Sequence, residues 1–152
     1  MLHRIRIFST EKLHVRSFCL TAYLPPQQLR TEFKKDSKCS IPCLPGDPDY
    51  VYRTDYESIR ERGEKQQSEA RARRVVGLAI NALLDIPGIT KVQQLDYELQ
   101  LTKVAAFDWS DCQDPIVEVI KTHLFPDEAN VEVQDFVKKQ QQHQQKPLKD
   151  VS

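Results

Sequence analysis

The tetrapeptide Asp85-Ile86-Pro87-Gly88 marks the sharpest change of pattern in the chain. Before it, Val75, Leu78, Ala79, Ala82, Leu83 and Ile86 recur at helical spacing and predict a core-facing stripe. After it, apolar residues alternate. One strand is expected over Ile89–Leu95. A second carries Tyr97, Leu99 and Leu101 on one face and runs to about Ala106, with the turn near Gln94–Tyr97. Pro87 cannot continue a helix, and Gly88 accepts the backbone angles that such a stop requires.

The opening residues alternate as well. Ile5 and Ile7 are interleaved with Arg4 and Arg6, and Leu13-His14-Val15-Arg16 repeats the pattern through Phe18, Leu20 and Tyr23. Two strands, about 3–8 and 13–23, are expected, joined by Ser9-Thr10-Glu11-Lys12. A mitochondrial presequence would show a helical period instead, and no apolar run of secretory type follows Arg4 and Arg6. A cytoplasmic protein is expected, with a mitochondrial or other organellar location as the alternative.

From Pro25 to Tyr56 the prolines predict a long irregular insert. A helix is expected from about Asp55 to Leu84, polar all round over Tyr56–Arg74, with Gly63 as a candidate break. Asp114-Pro115 reads as the start of a second helix, Asp capping and Pro at the first position. Ile116, Val119, Ile120, His123 and Leu124 form its buried stripe. Val131, Val133 and Phe136 mark a last strand. Residues 1–137 then form one α+β domain with the insert at 25–56, and a Gln/Lys-rich tail at 138–152 is expected to be disordered. The order ββ-αββαβ predicts a two-layer, ferredoxin-like sandwich.

The formal net charge of the 152 residues is zero, which argues against a generic nucleic-acid binder. No stretch approaches the roughly 18–20 apolar residues of a membrane span. The zero is unevenly built: residues 1–35 hold seven basic and two acidic groups, residues 85–135 three basic and eleven acidic. The two parts either neutralise one another within the fold or present a dipolar surface.

Candidate chemistry is sparse. Cys39 and Cys43 could hold a metal, but a gap of three residues containing Pro42, without a second pair, is not the usual thiolate signature. Cys19 reads as core, and Cys112 falls near a helix start, where a thiol pKa can drop. His3 and His14 are expected on exposed strand faces with Arg4, Arg6 and Arg16, and His123 on an apolar helix face. Asp108, Asp111 and Asp114 lack the glycine and closing glutamate of a calcium loop and read as caps. Arg71-Ala72-Arg73-Arg74 could meet phosphate or an acidic partner. No nucleophile–histidine–acid set emerges, and RNA binding wants exposed aromatics that are scarce beside these arginines.

One stretch resembles a known family. Gly77-Leu78-Ala79, Leu83-Leu84-Asp85-Ile86-Pro87-Gly88-Ile89-Thr90-Lys91-Val92, Tyr97-Glu98-Leu99-Gln100-Leu101-Thr102-Lys103 and Asp108-Trp109 are similar to the Nfu/NifU N-terminal domain over about residues 77–125. The family's Thr-Pro-Asn-Pro-Asn turn is replaced by Ser9-Thr10-Glu11-Lys12, and its cluster-binding C-x-x-C domain has no counterpart in the match. The resemblance implies a non-catalytic interaction module of iron–sulfur cluster assembly, with no cluster ligand to carry over. The partner would be a protein, such as a cluster-assembly component, docking on Asp108, Trp109, Asp111 and Asp114 or on Arg71, Arg73 and Arg74. No resident cofactor is expected; an iron–sulfur cluster or metal on Cys39 and Cys43, or an RNA- or ribosome-associated role, are the alternatives.

Overall fold

Alternation builds the sheet. In a computed structural model, residues 3–27, 30–44, 47–48, 57–128 and 130–137 are described, the side chains of 57–66 excepted. The elements are β1 (His3–Ser9), β2 (Val15–Leu20), β3 (Glu32–Lys34), α1 (Glu57–Leu84), β4 (Ile89–Gln94), β5 (Glu98–Lys103), α2 (Trp109–Leu124) and β6 (Val131–Asp135). Six strands form one sheet in the order β3-β4-β5-β2-β1-β6. Every pairing is antiparallel except β1 with β6.

The register puts the apolar residues on one face. Ile5 faces Leu20, Ile7 faces Phe18, Phe18 faces Leu99, Leu101 faces Val92 and Val92 faces Phe33. Both helices pack there, contributing Val76, Ile80, Leu83 and Leu84 from α1 and Cys112, Ile116 and Ile120 from α2. Burying a whole Leu or Ile side chain stabilises the fold by about 1.5–3 kcal/mol, so this shared face holds the two layers together. The result is the expected two-layer α+β sandwich. The run β2-α1-β4-β5-α2-β6 follows the ferredoxin-like plan, with β1 inserted between β2 and β6.

Several expectations are corrected. The 25–56 insert is not wholly irregular: Glu32-Phe33-Lys34 pairs with β4, and its one inward residue, Phe33, is buried. Three residues are too few to show a period. Residues 38–44 are strapped along α1. The Asn81 side chain accepts from the Cys39 amide (2.9 Å) and donates to its carbonyl (3.0 Å), and Lys38 pairs with Asp85 at 2.6 Å. Gly77 lets this strap approach, since a Cβ there would lie 3.0 Å from Ile41 Cδ1. The core face of α1 is Val76, Ala79, Ile80 and Leu83, whereas Val75 and Leu78 are 44% and 41% exposed. The helix runs through Gly63. Its expected start at Asp55, part of the insert and the tail 138–152 lie outside the described residues.

The second helix begins at Trp109, five residues before the expected Asp114, with Asp108 as its extended N-cap residue. Pro115 therefore lies in the second turn and removes the amide that the Asp111 carbonyl would receive. Trp109 and Cys112 anchor that first turn in the core, which outweighs the lost bond. His3 is not on the exposed sheet face but stacks on Phe125, centroids 4.3 Å apart. Cys19 lies on the open face opposite Glu98 rather than in the core.

The opposite charges of the two ends meet where β1 runs beside β6. Arg4 pairs with Glu132 at 3.1 Å and His3 reaches Glu128 at 3.7 Å. Hydrogen bonds from Arg4 and Gln134 hold the Glu132 carboxyl below its ordinary pKa. Part of the asymmetry is thus neutralised inside the fold. No helix among the described residues is long and apolar enough to cross a membrane.

Candidate functional site

At one end of the sandwich, the β1–β2 turn, the β5–α2 loop and the first turn of α2 converge on Trp109. The Trp109 ring is nearly buried, and its Nε1–H donates to the Leu13 carbonyl at 3.3 Å. The Arg16 guanidinium lies 4.8 Å from the ring centroid and the Lys103 ammonium 5.8 Å. Each such cation–π contact is worth about 0.5–2 kcal/mol, more where water is excluded.

Lys103 reaches this place because it continues the inward alternation of Leu99 and Leu101. It is 7% exposed, and its ammonium meets the Val104 carbonyl at 3.3 Å and His14 Nδ1 at 3.4 Å. Arg16 donates to Gln113 Oε1, and Gln113 donates on to Asp135 at 2.9 Å. Burial lowers the Arg16 pKa, against the opposing pull of Asp135. This network fixes the start of α2 to β2 and to the last strand.

Around the ring, apolar surface is left open. Leu13 is 82% exposed, and Val104 and Phe107 are also exposed. The Phe107 amide donates to the Val104 carbonyl, and the Val104 amide to Gly88, which holds the loop in place. Beside it, Asp108, Asp111, Asp114 and Glu118 are exposed. None of these four enters an ion pair among the described residues. Protein interfaces commonly have an apolar centre inside a polar rim; here the rim is acidic.

Of the residues singled out in the sequence, Asp108, Trp109, Asp111 and Asp114 are thus brought together. Trp109 serves as the platform rather than as an exposed contact. Arg71, Arg73 and Arg74 are elsewhere, roughly 15–20 Å up α1 from its C-terminal end at 1.5 Å per residue. Arg74 is engaged with Asp47 at 2.6 Å. The Leu44 amide and Arg74 together lower the Asp47 pKa. Leu13, Val104 and Phe107 carry no motif, and Lys103 belongs to the Thr102-Lys103 stretch of the resemblance, whose pattern does not mark it as a contact.

The cysteines differ from one another. Cys39 is buried, its thiol donating toward Gln27 Oε1 and the Ser40 carbonyl at 3.5 Å, while Cys43 is exposed. Burial raises the thiol pKa of Cys39, of Cys19 and of Cys112. For Cys112 this reverses the expected fall, because its side chain is sealed in the core facing the Pro87 carbonyl rather than aimed at the helix amides. No group of three or more His, Cys, Asp or Glu residues is placed to hold a metal ion among the described residues.

The open sheet face has a shallow basin of about 300 Å³ bordered by Thr10, Lys12, Lys91, Gln93 and Gln100. Lys91 there is neutralised by Glu32 at 2.8 Å, and the Thr10 hydroxyl is committed to the Lys12 and Val15 carbonyls. Phe8 stacks on Phe136 at 4.9 Å, and the Arg4 and Arg6 side chains bond to Glu132 and Gln134.

Fold and site define a small α+β sandwich with an apolar, acid-bordered end. No family model and no curated protein matches the chain. Among solved structures it is similar to protein SAV1430 from Staphylococcus aureus, at 11% identity and a TM-score of 0.45, over 77% of this chain and 98% of that one.

Proposed function

We propose that the protein is a non-catalytic interaction module that docks a protein component of iron–sulfur cluster assembly through the Trp109 end. The observation that carries the docking surface is the exposure of Leu13, Val104 and Phe107 beside four acids that enter no ion pair among the described residues. The apolar centre supplies burial, and the acids select a partner face rimmed by Lys or Arg and speed its approach. The assignment to cluster assembly rests on the resemblance of residues 77–125 to the Nfu/NifU N-terminal domain. In this reading the protein contributes contacts, and any cluster belongs to the partner.

Calorimetric titration against a purified Nfu-type domain carrying the C-x-x-C motif tests this. A micromolar dissociation constant is expected, weakening several-fold between about 50 and about 300 mM salt as the acids are screened. The double variant Asp111→Lys/Asp114→Lys changes only exposed positions, so it should fold normally and lose at least tenfold in affinity. Absence of binding at about 1 mM, or binding indifferent to the charge reversal, would remove the proposal.

A further inference from the structure

The outer edge of β6 has a self-complementary pattern. β6 is the terminal strand of the sheet, and among the described residues nothing pairs with its outer side. It runs parallel to β1, with Arg6 opposite Gln134. The Phe136 amide donates to the Ile7 carbonyl at 2.9 Å. In a parallel ladder, alternate residues direct both backbone groups to the same neighbour. Glu132 and Gln134 therefore point their N–H and C=O groups at β1. Val131, Val133 and Asp135 point theirs away from the sheet.

We propose that two copies of this chain pair antiparallel through β6, about a two-fold axis at Val133, to make one continuous sheet. That register fits in three ways. Val133 and its symmetry mate exchange both backbone hydrogen bonds, and Val131 does the same with Asp135 of the other copy at each end. All three outward residues of each copy are thus satisfied. The side chain at the axis is apolar, and Val133 is 39% exposed in the single chain. Glu132 faces the Gln134 amide of the other copy, so no like charges are opposed. Moving the axis to Glu132 would set two carboxylates against each other, and moving it to Gln134 would set Val133 against Asp135. The joined strands are only five residues long, which is small for an interface. The dimer is accordingly weak and concentration-dependent. It uses a different surface from the Trp109 end and does not depend on what docks there.

Sedimentation velocity on the full chain, from about 10 µM to about 500 µM, tests the pairing. The expected result is a rise from monomer toward dimer. Val133→Pro removes an outward N–H that β1 does not use, so the sheet should survive while the dimer is lost. Val133→Lys places like charges at the axis, should weaken association at least tenfold, and serves if the proline variant fails to fold. A wild type that stays monomeric throughout, or variants that associate as the wild type does, would overturn the pairing.

Discussion

Replacing Trp109 with alanine is expected to destabilise the protein by about 3–5 kcal/mol, the usual cost of emptying a buried aromatic site. The ring fills the junction between the β1–β2 turn, β5 and α2. Its loss also strands two cations. Arg16 would keep Gln113, but Lys103 would lose its aromatic neighbour while remaining buried, with only Val104 and His14 as partners. Trp109→Phe separates the contributions. It retains most of the packing and both cation contacts but loses the Nε1–H bond to Leu13, a cost of about 1 kcal/mol. Urea unfolding followed by circular dichroism measures both, since the variants lack the sequence's one tryptophan. An alanine variant within about 1 kcal/mol of wild type would mean that Trp109 is not the platform described here.

Gly88→Ala should be nearly as damaging, at about 3 kcal/mol. Two causes act together. Gly88 has φ of +90°, which residues with a Cβ rarely adopt. An added Cβ would also lie 2.6 Å from Phe107 Cγ, well inside contact distance. A double variant with Phe107→Ala removes the ring contacts but keeps the Cβ at 2.9 Å, so it should recover the ring's share of the steric cost and leave the backbone part, making the two changes non-additive. Thermal melts of the four species measure the coupling. Strict additivity would show that Phe107 does not press on Gly88, and the β5–α2 loop would need another explanation.

How much of this was legible in the sequence depends on the length of each pattern. β1 and β5 alternate over six or seven residues and are readable, although β5 stops at Lys103 rather than near Ala106; β4 is readable to within a residue despite an irregularity between Ile89 and Lys91. β3 is three residues long and owes its place to long-range partners on β4, Phe33 on Val92 and Glu32 on Lys91, which no local pattern can express. The Asp114-Pro115 signal misled because Pro is tolerated at a first turn and here sits one turn later, held by Trp109 and Cys112 in the core. Val75 and Leu78 were misassigned because the strap at 38–44 covers the flank of α1 around Gly77 and Asn81, so the helix buries a different arc than its composition implies.

The site was half visible. Asp108, Asp111 and Asp114 stand out as a charge pattern, but an exposed Leu13 or Phe107 looks in sequence like any core residue. Lys103 could have been found: Leu99, Leu101 and Lys103 share one strand parity, and an inward lysine in such a series is unusual. The arginines at 71, 73 and 74 attracted notice for charge alone, yet the fold sets them far from Trp109. Of the charge asymmetry, the ion pair Arg4–Glu132 is settled between β1 and β6, whereas the acids on the outer face of α2 enter no ion pair among the described residues.

The central claim is that the Trp109 end, and not the open sheet face or the arginine run, receives a protein partner. The direct measurement is a heteronuclear NMR titration of the labelled protein with the Nfu-type C-x-x-C domain. The account predicts amide shifts concentrated on Leu13, Val104, Phe107, Asp111, Asp114 and Glu118, with Gln93, Gln100 and Arg71–Arg74 unmoved. Shifts centred on Arg71–Arg74 or on the open face, or none at all, would contradict it.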